Sequence, residues 1–254
     1  MTIKSIGLIA ALAFVGAACG TKEATGPLEP SGPTGRVRFV NLINDPARIP
    51  VNAILESLPF GVNLGYGAST PATLPSPSNA TYSAILAGTR TLVLKRTADT
   101  TVVVGTLDLN ITENTDFTVY ATGGAAGAPV TFFSVINTNP VPTASQVEVR
   151  IVNYSPAAGA LDVFITAPNA DLSAAIPTVT SPGAPDPGTS YVVFAPGTYQ
   201  VRAVPAGTAP AARSTSVVLT VNSLVLVGGT GRTIVIADRA AGGAPITAFV
   251  LTDR

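Results

Sequence analysis

The sequence contains no histidine. That removes the histidine-dependent catalytic triads, the commonest general base near neutral pH and the commonest metal ligand. Cysteine occurs once, at Cys19, so no disulfide framework is available to the chain itself. Charge is scarce: Asp, Glu, Lys and Arg make up 11% of the 254 residues, with 14 basic side chains against 14 acidic ones. No basic field exists to draw in nucleic acid or an anionic membrane surface. Tryptophan is absent, which leaves any sugar-stacking platform to tyrosine and phenylalanine. The longest apolar stretch, Ile6 to Ala18, falls short of the roughly 20 residues needed to span a bilayer as a helix.

What is present is a duplication. The run Val37 to Asn41 (VRFVN) returns as Val149 to Asn153 (VRIVN), and Ala126 to Phe133 (AGAPVTFF) returns as Gly242 to Phe249 (GGAPITAF). The offset is 112 residues from Arg38 to Arg150 and 116 from Pro129 to Pro245, so the copies differ by a few loop residues. Two copies of one module follow, spanning residues 36–140 and 146–254.

Each copy predicts about seven short strands, among them Arg36 to Ile43, Val51 to Ser57, Thr101 to Ile111 and Phe117 to Thr122 in the first. The second gives Gln146 to Tyr154, Leu161 to Ala167, Ser214 to Val227 and Thr233 to Ala237. The runs are β-branched and aromatic, punctuated by 24 Gly and 22 Pro at turns. Several alternate with period two: Val37 and Phe39 against Arg38, and Leu107, Leu109 and Ile111 against Asp108 and Asn110. Alternation predicts half-exposed antiparallel sheets with polar residues turned to water. The fold class is therefore all-β: two tandem antiparallel β-sandwiches, immunoglobulin-like or transthyretin-like.

The N-terminus carries Lys4, the apolar stretch to Ala18, and small residues Gly16 to Ala18 before Cys19. Residues 1–18 read as a secretory signal. This opening resembles that of bacterial lipoprotein precursors. The resemblance implies a diacylglycerol thioether on Cys19 with cleavage before it, and Gly20 in place of aspartate is similar to lipoproteins sent to the outer membrane. Gly16 stands where such signals usually carry an aliphatic residue, so the alternative is ordinary signal cleavage after Ala18 and free secretion. Residues 19–35 continue without apolar periodicity and read as a flexible tether.

The opening VRFVN or VRIVN, the short apolar strands through Ala53 and Val163, the AGT or PGT turn into the next strand, and the closing strand after a Gly-Ala loop together resemble the domain-of-unknown-function 4397 family over both copies. The resemblance implies a secreted or surface-attached bacterial protein, often a lipoprotein, with tandem β-sandwich domains and no established activity. The first copy departs from the pattern at Asn41 to Leu55 (NLINDPARIPVNAIL).

Candidate chemistry is thin. Asp108, Glu113 and Asp116 offer oxygen ligands for a hard cation, but an EF-hand starting at Asp108 needs glycine where Glu113 stands and a carboxylate where Val119 stands. Gly228 to Arg232 (GGTGR) leads into a strand rather than a helix and lacks the phosphate-loop lysine. Both segments are predicted to be the same hairpin turn. Lys22 in the tether and Lys95 beside Arg96 read as solvated charges. Tyr82, Tyr191 and Tyr199 fall on strands and Tyr154 near a loop, all predicted to pack. Tyr66, flanked by Gly65 and Gly67 in a loop, is the candidate ligand-binding residue. The expectation is a non-enzymatic, membrane-anchored envelope lipoprotein, at the outer membrane or cell surface, serving adhesion, scaffolding or binding. It needs no cofactor or metal, avoids nucleic acid, reaches the membrane through its lipid, and meets surface polysaccharide or protein. Low net charge adds weak self-association. The alternatives are a carbohydrate- or other ligand-binding module, and a secreted hydrolase built on paired carboxylates such as Asp162 with Asp171 or Asp186.

Overall fold

The computed structural model describes residues 32–71, 82–137, 141–188 and 190–253. The signal at 1–18, Cys19, Lys22 and the tether up to residue 31 lie outside the described residues, as does Thr81. Thr34 and Gly35, expected in the tether, already belong to the first strand.

The first repeat runs β1 (Thr34–Ile43), β2 (Val51–Leu55), β3 (Leu58–Leu64), β4 (Ser69–Thr70), β5 (Ser83–Leu86), β6 (Gly88–Arg96), β7 (Asp99–Ile111), β8 (Asp116–Gly123) and β9 (Val130–Asn137). The second runs β10 (Val147–Asn153), β11 (Leu161–Thr166), β12 (Val179–Ser181), β13 (Val192–Phe194), β14 (Gly197–Pro205), β15 (Leu219–Leu226), β16 (Thr230–Ala237) and β17 (Thr247–Thr252). Each repeat is a sandwich of two sheets with one topology. The order β1-β8-β9, with β4 and β5 on the far side of β1, matches β13-β10-β16-β17, and β3-β2-β6-β7 matches β12-β11-β14-β15. Between the sheets lie two ordinary cores, one around Phe39, Leu92, Leu94 and Val119, the other around Ile151, Leu161, Val201 and Ile234.

Three expectations need correction. The opening strand is not antiparallel to all its neighbours: β1 runs parallel to β8, and β10 parallel to β16. Side-chain alternation reports which face is buried and carries no information on strand direction, so the mixed sheet was invisible to it. The segments around Thr112–Asp116 and Gly228–Arg232 are not hairpin turns, because β7 and β8, like β15 and β16, belong to different sheets and the link carries the chain across the sandwich. Finally, the polar face of β1 is in water only at Arg36, and the arginine of the repeated motif is not. Arg38 and Arg150 are each 3% exposed.

That burial comes from the arrangement of the repeats. The β1 sheet of the first repeat and the β10 sheet of the second turn their outer faces to each other, and Val40, Leu42, Tyr120 and Val135 pack against Val152, Tyr154, Val235 and Ala237. The Phe133 ring stacks on Tyr154 at 4.9 Å and 13°, and Tyr120 lies 4.9 Å from the same ring. The described residues form four sheet layers, with a core inside each sandwich, a shared core between the sandwiches and a small cluster of Phe164, Leu172 and Val204 in the second repeat. Asn41 and Asn153, the last residues of the repeated motif, tie off the strand ends. Asn41 Nδ2 donates to the Leu64 and Gly65 carbonyls while its Oδ1 accepts the Ile43 N–H. Asn153 does the same with Gly159, Ser181 and Ser155. The repeated VRxVN motif is thus an instruction for folding: its valines fill the sandwich core or the shared core, its arginine enters the seam and its asparagine ends the strand.

Candidate functional site

The seam between the repeats holds the densest chemistry among the described residues, and it is built with near-twofold symmetry. Arg38 and Arg150 occupy matching positions, as do Thr118 and Thr233, Tyr82 and Tyr191, and Asn137 and Asp253. Arg38 stacks over the Tyr82 ring at 4.7 Å and Arg150 over Tyr191 at 4.8 Å. Each guanidinium donates to its threonine, Arg38 Nη2 to Thr118 Oγ1 at 2.9 Å and Arg150 Nη2 to Thr233 Oγ1 at 3.0 Å.

The symmetry breaks at the acid. Arg38 Nη2 donates to Asp253 Oδ1 at 2.6 Å and its Nη1 to the Thr252 carbonyl at 2.6 Å, so the first repeat grips the last strand of the second. Asn137 holds the equivalent position in the first repeat, and Arg150 makes no carboxylate pair among the described residues. Tyr191 explains why one acid and one amide are used: its hydroxyl lies 3.1 Å from Asn137 Oδ1 and 3.0 Å from Asp253 Oδ2. Two carboxylates within reach of a single phenol would repel one another in a water-poor seam. Burial opposes the charge of Arg38, but the Tyr82 phenol and the Asp253 carboxylate outweigh it and hold its pKa above the ordinary value. Burial likewise pushes the Tyr82, Tyr120, Tyr154 and Tyr191 phenols upward, so they stay neutral.

At one end of the seam the walls part into a cleft of about 180 Å³, lined by Leu42, Tyr66, Phe133 and Tyr154 together with Asn44, Thr131 and Asp238. Tyr66 arrives on the loop between β3 and β4. Its hydroxyl donates to the Asp238 carbonyl of the other repeat, and its ring meets Phe249 edge-on at 5.5 Å. Burial, and then the nearby Asp238, push its pKa up. Gly67 makes this close approach feasible: it sits at φ +77°, and a Cβ there would stand 2.2 Å from Phe249 Cε1. Sequence reasoning singled out Tyr66 but missed Asn44, Phe133, Tyr154 and Asp238, because only the pairing of the repeats brings them to it.

The remaining candidates go elsewhere. Asp108 accepts the Thr91 hydroxyl on an exposed face, while Asp116 forms a two-pronged pair with Arg36 at 2.7 Å. Asp162 accepts from Thr180 Oγ1 and the Gly207 N–H, Asp171 from the backbone and hydroxyl of Ser173, and Asp186 from the Gly188 N–H. The Ser173 bonds hold Asp171 below the usual carboxylate range. Tyr82 and Tyr191 sit just before their strands rather than on them. No helix among the described residues is long and apolar enough to cross a membrane, which leaves β-barrel spans unaddressed.

An all-β protein of two stacked sandwich repeats, sealed through their VRxVN sheets, is the class that fold and seam define. The family model described as Domain of unknown function (DUF4397) matches residues 35–164, just over half of the chain, and the protein belongs to that family. The match covers the whole first repeat and enters the second through β10 into β11. No curated protein matches the chain.

Proposed function

We propose that the protein is a non-enzymatic envelope lipoprotein, anchored through lipid on Cys19 at the outer membrane or cell surface, whose two family repeats form one rigid head on a flexible tether. The observation that carries this reading is the sealed seam. A buried ion pair and a shared apolar core join the repeats, so the chain invests its inward-facing polar residues in architecture. The carboxylates Asp162, Asp171 and Asp186 are each bonded to local donors, which favours a binding or scaffolding role over hydrolysis. The exposed Val102 and Val103 on the edge strand β7 support weak self-association and contact with surface polymers or proteins.

The test is the intact mass and membrane partitioning of the protein expressed with its own signal in a bacterial host, beside Cys19→Ala. A mature mass that begins at Cys19 and includes lipid, with the variant released to the soluble fraction, is expected. An unlipidated soluble protein would replace the anchor with free secretion.

A further inference from the structure

The cleft at the end of the seam has properties that the architecture does not require. Its volume of about 180 Å³ is close to the roughly 150 Å³ of an engineered cavity that takes up benzene. Three aromatic side chains, Tyr66, Phe133 and Tyr154, border it, and they come from three separate segments belonging to both repeats. Pockets form preferentially at such junctions between domains.

Its polar side is small and specific. Asn44 is buried, with 8% of its surface exposed. Its Oδ1 accepts the Ala125 N–H at 3.1 Å, which fixes the amide and leaves Nδ2 with no hydrogen bond among the described residues. Asn44 Nδ2 is not among the described side-chain donors sealed from water without a partner, so it keeps an open hydrogen-bonding position that a ligand's acceptor can take in place of water. The cleft wall has no cationic side chain, so an anion finds no counter-charge there. Its one carboxylate, Asp238, is already bonded by Ser155 Oγ, the Ala157 N–H and the Gly243 N–H, so it has little to offer a cation. A sugar needs several polar partners around its ring, whereas the Thr122 hydroxyl is turned to the Thr131 carbonyl, the Tyr154 hydroxyl is sealed from solvent, and Asn44 is left as the principal accessible donor.

We propose that this cleft is a binding site for a small neutral aromatic ring bearing one hydrogen-bond acceptor, the ring seated among Tyr66, Phe133 and Tyr154 and the acceptor taken by Asn44 Nδ2. The site is independent of lipid on Cys19, and the binding test leaves that question aside.

Purified full-length protein carrying Cys19→Ala, which needs no detergent, is titrated by NMR with acetophenone, benzoate and methyl α-glucopyranoside. Acetophenone is expected to saturate with a Kd on the order of 1 mM or below, in keeping with a probe of nine heavy atoms, with benzoate and the glucoside at least tenfold weaker. Thr131 is exposed on β9 at the cleft mouth, so Thr131→Trp fills the space without entering a core and should abolish saturation. Asn44→Asp keeps the acceptor for Ala125 but removes the donor, and should weaken acetophenone at least tenfold, with a thermal melt confirming that the variant is folded at the temperature of the titration. The proposal is overturned if acetophenone does not saturate, if it binds Thr131→Trp and Asn44→Asp as tightly as the parent, or if either other probe binds better.

Discussion

Arg38 and Asp253, 215 residues apart in sequence, meet at 2.6 Å across the seam with both side chains almost sealed from solvent. A buried pair of this kind contributes little net stability over an apolar pair of the same size, but removing one partner strands the other charge. Asp253→Ala would leave Arg38 and Arg150 together in the seam with no acid between them. The expected cost is about 3–5 kcal/mol in urea denaturation. Arg38→Met combined with Asp253→Leu should recover most of that loss, since it removes both charges and keeps the volume. Equal loss in the single and double variants would mean that the pair does more than satisfy itself.

Two neighbouring glycines separate backbone need from mere flexibility. Gly67 sits at φ +77° with Phe249 of the other repeat where its Cβ would be, whereas Gly65 has open space around the same position. Gly67→Ala should cost about 1–3 kcal/mol, from the left-handed backbone together with displacement of the Phe249 ring. Gly65→Ala should be neutral or stabilising by less than about 1 kcal/mol, because it only narrows the unfolded ensemble. Thermal melts of the two variants decide the point, and comparable losses would count against a clamping role for the Tyr66 loop.

Much of this fold was legible in the sequence, and what was not follows from particular residues. The repeated motifs gave the duplication, and β-branched alternation located most of the strands. β3 escaped because Pro59, Gly61 and Asn63 interrupt it; it is an edge strand whose pairing with β2 slips register twice, the place where such residues are tolerated. The stretch from Ser214 also read as strand, yet Pro210–Thr215 forms a 3-10 turn and β15 starts only at Leu219. The seam was hidden for a different reason. A lone Arg38 in an alternating strand reads as a solvent-facing charge, and only a partner at the far end of the chain makes its burial affordable. Tyr66 was found through its flanking glycines, but the residues that give it a setting are distributed over both repeats.

Burial leads in raising the pKa of Tyr66, Tyr82, Tyr120, Tyr154 and Tyr191 above the 10.0 of a free phenol. Below pH 10 these phenols are neutral in both folded and unfolded chains, and the stability linked to them is complete. Above pH 10 the unfolded chain loses protons that the native state retains, so stability falls as pH rises toward the folded-state values. The protein is therefore expected to unfold cooperatively at alkaline pH, with the tyrosinate absorbance of these five appearing together with loss of structure. Gradual ionisation of all five in a chain that stays folded would contradict the packing of the seam.

The shared core also bears on how the molecule unfolds. Tyr154 touches Tyr120 and Phe133 of the first repeat from its place in the second, and the same cluster continues through Val40 and Leu42 to Val152 and Val235. Coupling of this extent should make two sandwiches melt as one unit, although each has its own core. Tyr154→Ala removes the ring at the centre of the contact and should cost about 3–5 kcal/mol, as large-to-small changes at buried aromatic positions do. Because the loss falls on the seam and spares the two outer cores, the single calorimetric transition of the parent should split into two in the variant. A parent that already melts in two steps would show that the repeats are stable apart, and that the ion pair and aromatic stack orient them without binding them into one cooperative unit.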